Sequence, residues 1–321
     1  MTEKGGLRLP APIEWAWTVI FLLLVTIVPL LSSITSALVF VPLFGWWNRP
    51  LMVKLNCIMA DWTWYFLGGL GIEKYGGSHY HFYGDKIPMR ENAFLISNHL
   101  TLFDWAFLFP IAGRRGRLGT MKFFAKKSIT YVPGFGWGIY LLDHLLISRN
   151  WLADKSFIAN TFAKLKERKL PFWVISFLEG TRKTPKKLQE SQAYAKKMDL
   201  PTLNNVLLPR TKGFVATVQS LRDEITAIYD VTYAYKGEKV PGLRDVAMGR
   251  IPDLHFHIRR IPIDKLPTNE KDLTDWCMNV WVEKDDLLEH FKINGKFPNV
   301  RPVGEWSMPY QHEKMLLFGN K

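Results

Sequence analysis

The chain has 321 residues, 48% of them hydrophobic, and a formal net charge of +13. This length and composition allow one large domain or two modest ones, and they exclude disorder as the default state. The charge points toward an anionic partner such as nucleic acid, an acidic lipid surface or a phosphorylated substrate. The 13 Trp and 21 Phe favour a membrane, since aromatic residues concentrate at its interface, and we expect no nucleic-acid partner.

A long uncharged segment lies near the N-terminus. No residue between Glu14 and Arg49 is charged, and this apolar run exceeds the ~7–15 residues of a signal-peptide core. We therefore predict an uncleaved membrane element. A straight helix of this length would extend ~50 Å, which is more than the ~30 Å hydrocarbon core of a bilayer. Pro29, Ser32 and Ser33 lie at its middle, so a tilted single span and a hairpin of two short helices both remain open.

The next apolar stretch, from Leu51 to Leu70, contains Asp61 and several glycines. Its charge and its short apolar arms favour a helix packed on the membrane surface or on the domain, not an independent span. The chain has two cysteines, Cys57 and Cys277, without metal-ligand spacing. We expect both to be reduced thiols, with neither a disulfide framework nor a zinc site.

Beyond residue 72, short apolar runs alternate with amphipathic ones, which is typical of an α/β domain. The predicted strands are Ile72–Tyr83, Ala93–Ser97, Met121–Ala125, Phe172–Phe177, Ile225–Tyr235 and Leu254–Ile261. The predicted helices are Leu102–Ala112, Pro133–Leu142, Asp154–Arg168, Pro185–Met198, Gly213–Leu221 and Lys271–Phe291. We divide the chain into membrane-anchoring helices (1–71), a catalytic-type domain (72–295) and a C-terminal tail (296–321) with an apolar patch, Met315–Phe318.

A histidine and a carboxylate five positions apart follow one of the predicted strands. The apolar run 93–96 leads into Ser97, Asn98 and His99, and Asp104 comes shortly after. A neutral imidazole held by a carboxylate is a common means of removing a proton from an alcohol near neutral pH. The alternative is two polar residues at the start of an amphipathic helix. Positions five apart on a helix differ by about 140°, so His99 must precede the helix for Asp104 to reach it.

Three further segments place cationic side chains at the ends of predicted elements. In segment 177–182, a strand ends in a glycine turn that is followed by Arg182. This arrangement suits phosphate binding, and the alternative is an ordinary turn with solvated charges. Segment 208–214 is a basic turn entering a helix, which can bind phosphate or simply start the helix. Segment 138–149 is apolar and ends in Arg149, which is either a helix-terminal charge or a ligand for an anionic headgroup.

Taken in order, the motifs NHLTLFD, GWGIYLLDHLLISR, FLEGTR and LLPRTKGF resemble the four motifs of the 1-acylglycerol-3-phosphate acyltransferases. These enzymes are also called lysophosphatidic acid acyltransferases. The resemblance covers roughly residues 50 to 300 and is strongest to the eukaryotic membrane-bound branch. It implies a glycerolipid acyltransferase-like fold, in which a mixed sheet is covered by helices and preceded by an N-terminal helical membrane anchor.

The resemblance also implies roles for individual residues. His99 would be the general base for the lysophospholipid hydroxyl, and Asp104 would orient it. The family uses acyl-CoA as co-substrate and forms no acyl-enzyme, so no cofactor, metal or nucleophilic side chain is expected. Lys183 departs from the aromatic residue of many relatives and could alter headgroup preference. The implied substrate-binding residues are Asn98, Arg149, Glu179, Gly180, Thr181, Arg182, Pro209, Arg210 and Lys212.

The leading hypothesis is a membrane-anchored enzyme, in the endoplasmic reticulum, that converts lysophosphatidic acid and acyl-CoA to phosphatidic acid. A second hypothesis keeps the chemistry but changes the acceptor to lysophosphatidylinositol or another lysophospholipid. A third, from another class, is a non-catalytic membrane protein that binds anionic lipids through its charge. A zinc hydrolase is disfavoured because no ligand spacing is present. Headgroup and acyl-chain preference, leaflet and oligomeric state stay open.

Overall fold

A computed structural model describes residues 9–132, 135–148, 151–168, 171–237 and 240–298. Its first feature is a long apolar helix: α1 (Ala11–Thr35) continues through a π-helical turn (Ser36–Phe40) into α2 (Val41–Phe44). Within the described residues, this 34-residue stretch is the one helix long and apolar enough to cross a membrane. Pro29 lies inside α1 without ending it.

The chain reverses direction just after this helix, at residues 45–47, and not at the proline and serines in its middle. The returning helix α3 (Arg49–Trp64) begins where the Asn48 side chain accepts a hydrogen bond from the Leu51 backbone N–H at 3.1 Å. A polar cap and a proline in the first turn are the usual signals of a helix start. The two helices pack against each other, so the hairpin is built from one long arm and one short arm.

The predicted strand Ile72–Tyr83 is wrong over residues 72–79. Helix α3 continues as a π-helical stretch, Tyr65–Tyr75, and strand β1 covers only Tyr80–Gly84. Glycine explains the difference, because a side chain at Gly68 would place its Cβ 2.7 Å from the Phe109 Cβ. The missing side chain lets this helix approach its neighbour closely.

Seven strands form one mixed sheet in the order β1-β7-β6-β2-β5-β3-β4. Neighbouring strands are parallel except β6 and β7, which are antiparallel. Strands buried on both faces read as continuous apolar runs, and β2 is buried at every position. The mixed sheet covered by helices confirms the predicted fold class. The remaining strands are β2 (Ala93–Ser97), β3 (Met121–Lys126), β4 (Leu145–Ile147), β5 (Trp173–Phe177), β6 (Ala227–Tyr235) and β7 (Leu254–Pro262).

Helices cover both faces of the sheet and enclose two apolar cores. One core includes residues of α3, α4 and α5, and the other includes residues of α7, α9 and α11.

The sequence did not predict the short elements β4 and α10. The domain boundaries stay a prediction, and the apolar patch 315–318 lies outside the described residues. The helices are α4 (Asp104–Phe107), α5 (Phe109–Arg114), α6 (Phe135–Leu141), α7 (Trp151–Arg168), α8 (Pro185–Lys197), α9 (Thr211–Leu221), α10 (Leu243–Ala247) and α11 (Glu270–Asn294).

The first turns of α1 are fixed to the α/β domain by polar contacts. The buried Glu14 carboxylate accepts hydrogen bonds from Arg244 and Arg250. The Trp17 indole N–H lies 3.0 Å from the Ala247 carbonyl and 2.8 Å from the Tyr75 hydroxyl. A charge is expensive to bury unless it is paired, so this cluster stabilises one arrangement of α1 against α10.

Two buried histidines on β7 make the fold sensitive to acid. Burial lowers the pKa of His255 and of His257 to about 4, below the ordinary 6.5. The folded chain therefore favours neutral imidazoles, and this contribution to stability is present above pH 6.5 and is lost as the pH falls toward 4. Among the described residues, the His257 Nδ1 has no hydrogen-bond partner, and the centroid of its ring lies 5.8 Å from that of Phe297.

We predict that His257→Phe reduces the loss of stability on acidification, because phenylalanine fills the same site without taking up a proton. The measurement is the melting temperature of the purified protein in detergent between pH 7 and about 4.5, where an unperturbed histidine becomes protonated. His290→Phe, at an exposed position on α11, is the matched control and is expected to leave the pH dependence unchanged. Equal pH dependence in His257→Phe and the wild type would contradict the assignment.

Candidate active site

The sheet brings two of the sequence motifs to the same edge. Strand β2 lies between β5 and β6 and is parallel to both, with Ser97 level with Phe177 and with Val231. Parallel strands end at the same edge of a sheet, which is where α/β proteins place their sites. His99 and Glu179 each follow two residues after the paired Ser97 and Phe177, so they lie next to each other at this edge.

His99 precedes the helix that begins at Asp104, and the two side chains are in hydrogen-bond contact. His99 lies in the loop after β2, Asp104 is the first residue of α4, and His99 Nδ1 is 2.7 Å from Asp104 Oδ2. Asp104 also accepts the backbone N–H groups of Leu100 at 2.6 Å and Thr101 at 2.7 Å, and the Tyr233 hydroxyl. A carboxylate that accepts this many donors is an ionised acceptor, so Nδ1 carries the proton. Nε2 is then the basic nitrogen.

Burial differs sharply between the two partners. The Asp104 side chain is 1% exposed, whereas that of His99 is 21% exposed. The His99 ring stacks on Phe177 with centroids 4.7 Å apart. The aspartate is therefore held inside the protein, and the imidazole is oriented from two sides while one edge stays accessible.

Asn98 ties the loop to the neighbouring strand. Its amide nitrogen donates to the Tyr233 carbonyl at 3.0 Å, and its amide oxygen accepts the Tyr233 N–H at 2.9 Å. Both ends of this buried amide are thus engaged with β6, which fixes the start of the loop that carries His99. A direct contact of Asn98 with substrate stays a prediction.

The buried Glu179 links two loops through their backbones. Its Oε1 accepts the His99 N–H at 2.8 Å, and its Oε2 accepts the Leu207 N–H at 3.1 Å. Burial raises the pKa of Glu179 to about 8, while the two backbone donors favour the ionised form. The carboxylate thus positions the backbone of His99, and a contact of Glu179 with substrate stays a prediction.

Gly180 lets the third and fourth motifs meet. Its φ of +67° favours glycine, and a Cβ at this position would lie 2.6 Å from Arg210 Nε. The Arg210 N–H donates to the Leu178 carbonyl at 2.8 Å, so both the backbone and the side chain of Arg210 lie against the turn. A cation from the fourth motif is thereby placed over the turn of the third motif.

The other predicted binding residues have different environments. Arg182 and Lys212 are exposed, Pro209 is buried, and the Thr181 hydroxyl accepts a hydrogen bond from Lys187. Arg149 lies outside the described residues. Contacts of these residues with substrate stay predictions.

Lys183 faces partly inward. Its backbone N–H donates to the His99 carbonyl at 2.9 Å. Burial, followed by repulsion from Lys292 of α11, lowers the pKa of the Lys183 ammonium, while Glu179 and Asp285 raise it. These neighbours place the Lys183 charge close to the C-terminal helix.

Sequence reasoning missed two residues that support the site. Tyr233 reaches Asp104 from β6, across 129 positions of sequence. Asp285 of α11 accepts the backbone N–H groups of Asn204, Asn205 and Val206 at distances of 2.5 to 3.2 Å. The next residue of that loop is Leu207, which binds Glu179. Neither contact has a local sequence signal, since each joins distant parts of the chain.

Among the described residues, no group of three or more His, Cys, Asp or Glu side chains is arranged to hold a metal ion.

The fold and site together define a class of protein: an α/β protein in which a partly exposed imidazole, at one edge of the sheet, is held by a buried carboxylate. A family model described as "Acyltransferase" matches residues 79–236, and one described as "Acyltransferase C-terminus" matches residues 249–318. The chain belongs to the 1-acylglycerol-3-phosphate acyltransferase family, in its eukaryotic branch.

Individual relatives agree with this assignment. The chain is 39% identical over 238 residues to a probable 1-acyl-sn-glycerol-3-phosphate acyltransferase 5 of Arabidopsis thaliana. This alignment covers 74% of this chain and 63% of the relative. The chain is 32% identical over 268 residues to the delta form of Bos taurus, covering 81% and 71%. The chain thus spans less than two thirds of the plant relative's length. An acyltransferase structure from Thermotoga maritima aligns with a TM-score of 0.46 and 17% identity, covering 82% of this chain and 96% of that one.

We predict that Asp285→Asn lowers kcat by up to about 10²-fold, the cost of a small misplacement at a reacting centre. An amide has one acceptor oxygen, so part of the grip on the 204–206 backbone is lost and Leu207 moves relative to Glu179. Hydrogen exchange should accelerate at the Asn205 and Val206 amides. Asp286→Asn, the exposed neighbour, is the matched control. Identical exchange and kinetics in the two variants would show that Asp285 does not position the site.

Proposed function

We propose that this protein transfers an acyl group from acyl-CoA to the free sn-2 hydroxyl of lysophosphatidic acid, giving phosphatidic acid and free CoA. The observation that carries the proposal is the His99–Asp104 pair, in which a buried carboxylate holds Nδ1 and leaves Nε2 as the base. The relatives named as 1-acyl-sn-glycerol-3-phosphate acyltransferases support the same reaction.

The proposed chemistry is direct attack without an acyl-enzyme. The His99 Nε2 takes the proton of the acceptor hydroxyl as its oxygen attacks the thioester carbonyl carbon. The C–O bond of the new ester forms, the C–S bond breaks, and the CoA thiolate takes the proton back from the imidazolium. The Asp104 carboxylate stabilises the imidazolium in between, because it is buried and 2.7 Å from Nδ1.

The anionic ends of the two substrates would bind the cations around the turn of the third motif. Arg210 lies against Gly180, and Arg182 follows two residues later, exposed to solvent. Guanidinium groups bind phosphate through paired, charge-assisted hydrogen bonds, so a phosphate monoester suits this position. We assign the acceptor phosphate to Arg182 and Arg210, with Lys212 and Arg149 as further contributors.

The enzyme would work at a membrane. The helix from Ala11 to Phe44 is long and apolar enough to enter a bilayer, and only a small share of it is buried inside the protein. Both substrates are amphiphiles, so an anchored enzyme meets them where they concentrate. We propose that this membrane is that of the endoplasmic reticulum, which is the location that the family resemblance of the sequence implies.

We predict that His99→Ala and Asp104→Asn each lower CoA release by about 10²–10⁴-fold, the range for a lost general base. The assay follows the free thiol of CoA with purified protein, acyl-CoA and lysophosphatidic acid in detergent. His79→Ala, which removes a mostly exposed histidine, should keep the activity. Unchanged CoA release in folded His99→Ala would contradict the mechanism, and absence of release from the wild type would favour a non-catalytic anionic-lipid-binding protein.

We predict that Arg210→Gln raises KM for lysophosphatidic acid by about 10- to 100-fold, because a hydrogen bond to a charged group is worth ~1.5–3 kcal/mol. The increase should be smaller with lysophosphatidylinositol, a phosphodiester of lower charge. Lys186→Gln, an exposed cation on α8, is the control. If the wild type acylates lysophosphatidylinositol well and lysophosphatidic acid hardly at all, the acceptor is the phosphodiester lipid and the chemistry stands.

A further inference from the structure

A second apolar surface lies beside the long helix. We propose that the connection between β3 and β4 contacts the bilayer directly and forms, with helix 11–44, one continuous membrane-binding surface. We call the described residues of this connection, 128–132 and 135–142, the aromatic connection. The inference rests on bilayer insertion of helix 11–44 and does not depend on the acyltransferase reaction.

The sequence of the aromatic connection is unusual for a solvated loop. No residue from 128 to 142 is charged, although the two flanking positions on the N-terminal side, Lys126 and Lys127, are exposed cations, and Asp143 follows on the other side. An uncharged aromatic stretch next to exposed lysines is typical of a segment at a membrane interface.

Several large side chains of this connection are exposed, whereas Ile139 and Leu142 are buried. Tyr131 is 83% exposed, Tyr140 is 73% exposed and Trp137 is 50% exposed, and Val132 adds a further exposed apolar side chain. A group of neighbouring exposed aromatic residues marks a contact surface, since single scattered ones need no explanation. Tyrosine and tryptophan suit the headgroup level of a bilayer, where one end of the side chain is apolar and the other is hydrated.

The position of α6 identifies the bilayer as the partner. Helix α6 packs against α1, and a Cβ at Gly138 would lie 3.3 Å from Ser33 Oγ. Ser33 lies near the middle of the uncharged run from position 15 to position 48. A helix that packs on the middle of an inserted segment must itself meet the apolar part of the membrane or its interface. The exposed face of α6 is therefore continuous with the exposed face of α1.

The two native cysteines allow a direct test in the full-length chain. Cys57 and Cys277 are 2% and 0% exposed, so a thiol-reactive fluorophore would label an introduced surface cysteine selectively. We would compare Tyr140→Cys with Leu38→Cys, an exposed position on helix 11–44, and with Tyr194→Cys, an exposed aromatic position on α8. Each labelled protein is reconstituted into phosphatidylcholine vesicles containing phosphatidic acid.

We predict that the Tyr140→Cys label shows a blue-shifted emission, is quenched by nitroxide-labelled lipid and loses its quenching by aqueous iodide, as the Leu38→Cys label does. The Tyr194→Cys label should stay accessible to iodide. Iodide quenching at position 140 equal to that at position 194 would overturn the proposal. Shielding from iodide without quenching by lipid nitroxide would also overturn it, because protein and not lipid would then cover the surface. Failure of the Leu38→Cys label to contact lipid would instead refute insertion of the helix.

Discussion

The site depends on one buried carboxylate that is not itself the base. Glu179 holds the backbone of His99 on one oxygen and that of Leu207 on the other, so two loops from distant parts of the chain share a single acceptor. Burial raises its pKa to about 8, and each backbone donor offsets part of that cost. Asp104 orients the imidazole ring of His99, whereas Glu179 fixes the position of the His99 backbone.

The supports of the site come from both segments matched by the family models. Asp104, Glu179 and Tyr233 belong to the first segment, whereas Asp285 belongs to the second. Asp285 grips the loop that leads to Leu207, and Leu207 binds Glu179. The C-terminal helix thus completes the site from behind, which gives a physical reason for the second segment to accompany the first.

Local patterns predicted those parts of the fold that local physics determines. Strand β2 coincides with its prediction because it is apolar and buried on both faces, and α8 begins at the predicted proline behind a Thr184 cap. The error at residues 72–75 arose because the helix continues through the apolar, glycine-rich run that precedes them, residues 65–71, where glycine weakens the helical pattern. Strand β4 has only three residues, too few for any period to show.

The residues of the site likewise fall into those that the local sequence predicted and those that depend on distant contacts. The His99–Asp104 pair could be predicted because the two residues are close in sequence, with His99 in the loop after β2 and Asp104 at the start of the next helix. Tyr233 and Asp285 could not, because their contacts with the loops depend on how the sheet and α11 come together. Arg210 was predicted from its motif, but its place over Gly180 follows from a glycine turn whose partner is remote in sequence.

Under the proposed function, the pairing of Glu14 with Arg244 and Arg250 would affect how substrates are selected. A domain attached to its anchor by a flexible linker would sample many heights above a bilayer. Here the first turns of the long helix form hydrogen bonds to α10 and to Arg250, which favours one orientation of the helix against the domain. In a bilayer, the imidazole would then work at a single depth, and the acceptor would be chosen by how far its hydroxyl stands from the acyl chains as well as by its charge.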